Sequence, residues 1–280
     1  MTSGYAMERI GPAELLSALS LVKRGKVYDL ASVLNKDMPQ GGADTFHGFS
    51  LSQYRLPNAL INPDYKGYDF SMDVMTCSPH LGTHIDALIH VQYSGMIYGG
   101  EHMREALGVD GWKKHGMETV PPIIGRGVLI DMAAFYGVDI IEDGFEITAV
   151  DLESALGKQG VALQKGDIVL VRTGKYAEFL AGDENYFARQ PGVGAGGARW
   201  LYKQGMAVLG TDTTSTEPAP FPDSANTTHC AMLIESGVHI LEIMDLDKIA
   251  EDKVYEFLFI ALPLKIEGAT GSWLRPVALV

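Results

Sequence analysis

Apolar positions along the chain recur with two different periods. Across residues 12–24, Leu15, Leu16, Leu19 and Val22 fall on one face of a helix. Pro12 suits its first turn and Gly25 follows as a stop. Residues 26–32 then read as a strand, and residues 35–47, rich in glycine and polar side chains, as a long loop of the kind that serves as a lid or arm. Short apolar runs at 126–132, 168–172, 207–210, 238–243 and 255–263 read as buried strands. Between them, helical spacing is found after Thr148 as far as Gly157 to Gly160, at 194–204, at 229–235 and, briefly, at 245–250. Thr148 with Asp151 three residues on is a weak capping-box signal. Helices alternating with strands predict an α/β fold with a mixed sheet. No Pro/Gly/Ser linker divides the chain, so we expect a helical extension over residues 1–25 and one domain over 26–280.

Composition narrows the function classes. The chain has 280 residues, 46% hydrophobic and 20% charged, enough to bury a sizeable core. Its formal net charge of −13 and its lack of Lys/Arg clusters argue against a nucleic-acid partner. Two cysteines, Cys77 and Cys230, argue against a disulfide framework and favour a reducing compartment. The start lacks a signal-peptide run and no stretch has the length of a membrane span, so a cytoplasmic protein is expected.

The chemistry concentrates between Ser78 and Val91, where three of the eight histidines fall within eleven residues. His80, Gly82, His84 and Asp86 sit at even spacing. In an extended strand all four face one way, which makes a face of two imidazoles and a carboxylate. On a helix Asp86 would turn off that face. Gly82 between the histidines leaves room for an ion. This ligand set suits a catalytic Zn²⁺ with an open water position, and Mn²⁺ or Fe²⁺ would accept it too. Each histidine taken alone reads as an ordinary hydrogen-bonded residue. His90, four residues beyond Asp86, reads either as a general base near that water or as a ring packed under the site. His229 and Glu242 flank the apolar run 230–241, and if helix and strand fold back both can reach one point; on the residues alone, a helix-cap histidine and a surface glutamate is the favoured reading. Asp212 follows a strand, a usual place for site residues in α/β folds, and also fits a plain turn. His47 draws notice only for lying in the Gly-rich loop. His102, His115 and His239, with the three tryptophans, read as packing or surface residues.

The segment from His80 to His90, HxGTHxDxxxH, resembles the signature of the cyclase family of metal-dependent hydrolases. That family includes bacterial kynurenine formamidase, isatin hydrolase, certain cyclic-imide hydrolases and related lactone hydrolases. Supporting segments are Tyr28-Asp29-Leu30 with Met38-Pro39, residues 126–131, 166–174, 210–212, 229–242 and 268–276. The resemblance implies a swivelling β/β/α fold and a homodimer or higher homo-oligomer whose N-terminal arms can contribute to the neighbour's site. It implies that His80, His84 and Asp86 bind a first divalent metal. His229 and Glu242 would bind a second in two-metal members, with Asp86 bridging, and His90 would be the catalytic histidine. The implied activity is hydrolysis of a small carbonyl substrate: opening of a cyclic amide, imide or lactone, or cleavage of a formamide. Leu88 and Val91 stand where many relatives have Pro and Phe, which predicts a different pocket shape. The added N-terminal helix and the 35–47 loop favour ring-opening substrates over N-formylkynurenine. The alternative from another class is a silent metal-containing protein that binds a small carboxylate.

Overall fold

The computed structural model describes residues 5–41, 47–220 and 226–280. Residues 42–46 of the predicted loop lie outside them. Among the described residues, nine strands form one sheet. Their order is Val27–Asp29, Val277–Leu279, Glu256–Ala261, Ile123–Asp131, Ile168–Arg172, Val208–Thr211, His239–Glu242, His84–Asp86 and Gly271–Trp273. The four strands from Ile123–Asp131 to His239–Glu242 are parallel, with Val208 opposite both Ile168 and His239. Antiparallel strands flank them on both sides. The result is a large curled mixed sheet with helices, the class expected from the sequence.

The centres of the parallel strands, such as residues 168–171 and 208–210, read as apolar runs because both their faces are covered. In Ile168–Arg172, Ile168 and Leu170 enter one core, with Leu241, Phe257 and Phe259, while Val169 and Val171 enter the other. The second core is covered by the helix Ala149–Gln159, through Leu152, Ala155 and Leu156, and by the helix Ala195–Lys203, through Ala198 and Leu201. The capping box is formed: the Thr148 N–H donates to Asp151 Oδ2 at 2.8 Å, and the Asp151 N–H lies 3.4 Å from Thr148 Oγ1. Gly160, at φ 72°, closes the helix in the left-handed conformation. Among the described residues, no helix is long and apolar enough to cross a membrane.

Several boundaries differ from the sequence reading. The first helix spans Pro12–Leu19 rather than reaching residue 24, because the N–H groups of Arg24 and Lys26 bond to the carbonyl of Val280 at the sheet edge. The predicted helix 229–235 is a π-helical segment, Cys230–Ser236, ended by Gly237 at φ 62°. The short strands Gly271–Trp273 and Val277–Leu279 and the hairpin Ser50–Arg55 with Met72–Thr76 carry no clear periodic signal and were not expected.

Arg126 is a buried ionic anchor in the sheet. Its Nη1 donates to both Asp167 oxygens, at 2.9 and 2.8 Å, its Nη2 donates to the Ala162 carbonyl at 3.1 Å, and it also reaches Glu256. Arg126→Met leaves Asp167 buried without its cation, and the expected loss of stability is about 3–5 kcal/mol. The denaturation midpoint in urea checks it. The double variant Arg126→Met/Asp167→Leu should recover most of that loss, and a midpoint unchanged in the single variant would refute the anchor role.

Candidate active site

The His84–Asp86 strand carries the centre of the site. His84 and Asp86 project from one face and Ile85 from the other, into the core. His84 pairs across the ladder with Glu242 on one neighbour and with Trp273 on the other. The sheet therefore brings His84, Asp86 and Glu242 together. His229 arrives from the residue just before the π-helical segment.

His80 reaches the cluster by a different route from the expected one. The extended segment covers only residues 84–86, and His80 lies in a turn before it. Gly82 does not make room for an ion. It sits at φ +69°, and a Cβ there would come within 2.3 Å of Leu34 Cδ2 and 3.0 Å of Ser32 Oγ. Thr83 pins the turn by donating to the Ile243 carbonyl at 2.6 Å and accepting the Ser32 N–H at 2.7 Å. The glycine that serves a ligand is Gly271, where a Cβ would meet the His80 ring at 2.5 Å. Gly82→Ala is expected to cost about 1–2 kcal/mol through its left-handed backbone and to displace His80. A lowered denaturation midpoint together with weaker metal uptake would bear this out, and an unchanged midpoint would refute it.

The distances within the cluster are informative. His84 Nε2 lies 3.4 Å from Asp86 Oδ1 and 3.5 Å from Glu242 Oε2. His229 Nε2 lies 3.4 Å from Asp86 Oδ2 and 3.5 Å from Glu242 Oε1. These spacings exceed hydrogen-bond lengths. They match about 3.4 Å, the edge of a tetrahedron of ligand atoms with metal bonds near 2.1 Å. Among the described residues, Asp86 Oδ2 is buried with no hydrogen-bond partner, a costly state unless a cation serves it. The His84 Nδ1 lies 2.9 Å from the Gly82 carbonyl, which directs Nε2 into the site. The residues fit a divalent cation. His80 is engaged more fully: Nδ1 lies 2.9 Å from Asp86 Oδ1 and Nε2 2.9 Å from Thr270 Oγ1.

Electrostatics point the same way. The pocket lining contains no Lys or Arg among the described residues. Burial alone would lower the His84 pKa, but Asp86 and Glu242 outweigh it and push it up to about 10. Burial raises Glu242, against the pull of His229 and His84. The site thus demands positive charge, from protons or from a bound cation. His90 behaves differently. Loss of solvent around it lowers its pKa, the surrounding imidazoles add to that, and Asp86 only partly opposes it. Its ring stacks on His80 with centroids 3.9 Å apart, and its Nε2 stands 4.0 Å from Asp86 Oδ1. About 30% of its side chain remains exposed, so it is the open member of the cluster.

A cavity of about 430 Å³ opens onto these groups, walled by Val91, Gln92, Thr214, Ser215 and Cys230 among others. That is the size of a small-molecule site. Val91 lines it, whereas Leu88 is buried in the core.

The sequence profile of the cyclase family matches residues 28–218. The chain belongs to that family. The chain is 26% identical over 260 residues to a kynurenine formamidase of Bacillus cereus, covering 91% of this chain and 98% of that protein. A crystal structure of another cyclase superposes with a TM-score of 0.88 at 28% identity, over 98% of this chain and 95% of the other. Isatin hydrolase A from Ralstonia solanacearum shares the fold, with a TM-score of 0.69 at 24% identity over 96% of each chain.

Within this cyclase-family chain, the other residues singled out from sequence divide between the site and the rest of the fold. Asp212 is wholly buried and accepts bonds from the Thr173 and Gly174 N–H groups and from Thr173 Oγ1, so it is a structural turn residue. His47 is exposed. Cys230 is buried and lines the cavity, and Cys77 is half-buried. His239, read as a packing residue, touches the site: its Nδ1 lies 2.8 Å from the Asp86 carbonyl and its Nε2 2.8 Å from the Tyr5 hydroxyl. Glu217 was missed. It lines the cavity and lies 2.6 Å from His229 Nδ1. Nothing in the spacing of the Gly-Thr-Asp-Thr-Thr-Ser-Thr-Glu-Pro segment separates it from a surface acid.

Proposed function

We propose that this chain is a metal-dependent hydrolase of a small carbonyl compound, opening a cyclic amide, imide or lactone or cleaving a formamide. The observation that carries the reading is Asp86: a buried carboxylate with one unserved oxygen, set at ligand spacing from two imidazoles. The family membership and the formamidase relative support it. In this reading His80, His84 and Asp86 hold one divalent cation, and His229 and Glu242, sharing Asp86, hold a second where two are bound. Zn²⁺ is favoured, with Mn²⁺ or Fe²⁺ accepted by the same donors.

A cation held there lowers the pKa of water and polarises the scissile carbonyl. The chain's own residues do the rest. Burial and the neighbouring imidazoles favour the uncharged form of His90, the form a base requires, and it faces the cavity beside Asp86. It takes a proton from the attacking water and returns it to the leaving nitrogen or oxygen. The stacked His80 ring holds the plane of His90. Gln92 Nε2 donates to the Ile89 carbonyl at 2.6 Å and to the His90 carbonyl at 3.2 Å, which fixes the segment.

We also infer a homo-oligomer. The hairpin Ser50–Arg55 with Met72–Thr76 is a separate two-stranded sheet that exposes Leu51, Tyr54, Met72, Val74 and Met75. A lone two-stranded ribbon is marginal in water, and so large an apolar surface asks for cover. A second copy of the chain is the cover we propose, and sedimentation equilibrium tests it, a monomer refuting it.

Elemental analysis of the purified chain, with a panel of cyclic imides, lactams, lactones and formamides, tests the main reading. Bound divalent metal with turnover of at least one class is expected. A metal-loaded chain that turns over none and binds carboxylates tightly is a binding protein instead.

A further inference from the structure

Two adjacent residues, Thr216 and Glu217, each grip one of the proposed ligands. The Thr216 hydroxyl donates to Glu242 Oε1 at 2.8 Å. Glu217 Oε2 lies 2.6 Å from His229 Nδ1 and also accepts the His229 backbone N–H at 3.3 Å. The Glu217 oxygen is placed to accept from Nδ1–H, which leaves Nε2 as the ring atom turned toward a cation. That Nε2 is the atom standing at ligand distance from Asp86 and Glu242.

The pair is itself held in place. Gln190, wholly buried, donates from Nε2 to the Glu217 carbonyl at 2.7 Å and to Ser215 Oγ at 2.8 Å, and its Oε1 accepts the Thr214 N–H at 3.0 Å. The Val193 N–H donates to the Thr216 carbonyl at 2.8 Å. Gly192 passes so close that a Cβ there would lie 2.2 Å from the Glu217 carbonyl carbon. Thr216 sits at φ 55°, a costly conformation for a β-branched residue that persists only where surrounding contacts impose it. The whole segment is built to present two side chains in fixed directions.

We propose that Glu217 is a positioning residue that sets the tautomer and ring plane of His229, and that Thr216 does the same for the Glu242 carboxylate. Both ligands are then aimed before a cation arrives. The inference rests on the reading of His229 and Glu242 as metal ligands.

The test adds Co²⁺ alone to the metal-free chain and follows its visible absorption. Glu217→Ala is expected to weaken Co²⁺ binding about 10–100-fold, the usual cost of removing a group that orients a ligating histidine. Glu217→Gln, whose amide oxygen still accepts from Nδ1–H, should recover most of the loss, which a merely structural role would not predict. Thr216→Val, nearly unchanged in shape, should weaken binding in the same direction. A Glu217→Ala chain that binds Co²⁺ as tightly as the unaltered one overturns the proposal, and so does a Glu217→Gln chain no better than the alanine variant. His229→Ala separates the two ideas. If the unaltered chain takes up no Co²⁺, or His229→Ala binds it equally well, the ligand reading itself fails. If His229→Ala loses binding while Glu217→Ala keeps it, only the positioning role falls.

Discussion

Asp86→Ala is expected to lose divalent metal and hydrolysis together. Among the described residues, the Asp86 carboxylate stands near four imidazoles. Oδ1 lies 2.9 Å from His80, 3.4 Å from His84 and 4.0 Å from His90, while Oδ2 lies 3.4 Å from His229. The carboxylate is wholly buried, so no water replaces it cheaply. Removing it takes one ligand from each of the two proposed cation positions and the nearest carboxylate from three imidazoles, those of His80, His84 and His90. A cation contributes several kcal/mol to such a reaction, and the expected fall in turnover is therefore about 10³-fold or more. Metal content by mass spectrometry and turnover on the best substrate of the panel give the two readings. An alanine variant with full metal content and full turnover would remove the physical basis of the proposed function.

His90→Ala separates binding from chemistry. His90 is the half-buried member on the cavity side of the cluster, its Nε2 lies farther from Asp86 than those of His84 and His229, and its pKa is lowered by partial burial and the neighbouring imidazoles. In the proposed reading this placement makes it the base, although its ring also stands within ligand reach of Asp86 and His229. The variant should retain its metal while kcat drops by about 10²–10⁴-fold, the range of a general base. If metal content falls in step with kcat, His90 is a ligand. If kcat is unchanged, the ring only packs on His80.

Much of this architecture was legible in local pattern. The runs at 168–171 and 207–210 are apolar throughout because helices and a curled sheet cover both faces, and such runs report burial directly. Thr148 and Asp151 announced a helix start because a cap is a local bond between residues three apart. The short strands Gly271–Trp273 and Val277–Leu279 and the hairpin after Ser50 were not legible. Their conformation is imposed by partners far away in sequence, as when Gly271 pairs with Asp86. The first helix stops early for the same reason: the last strand claims the N–H groups of Arg24 and Lys26.

The site divides along the same line. The spacing of His84 and Asp86 was enough to place them on one face, since alternate side chains of a strand share a side by geometry alone. His80 does stand beside Asp86, but by another cause: a left-handed turn at Gly82 and the space above Gly271 bring its ring in. That Glu242 stands opposite His84, that Glu217 backs His229 and that His239 supports the Asp86 carbonyl follow from strand pairing and chain crossing. Residue order alone told which donors the chain owns and the local face on which two of them stand. Which remote groups complete and aim the cluster was settled in three dimensions, because their distances come from the register of the sheet and the path of its loops, and adjacent letters carry no record of either.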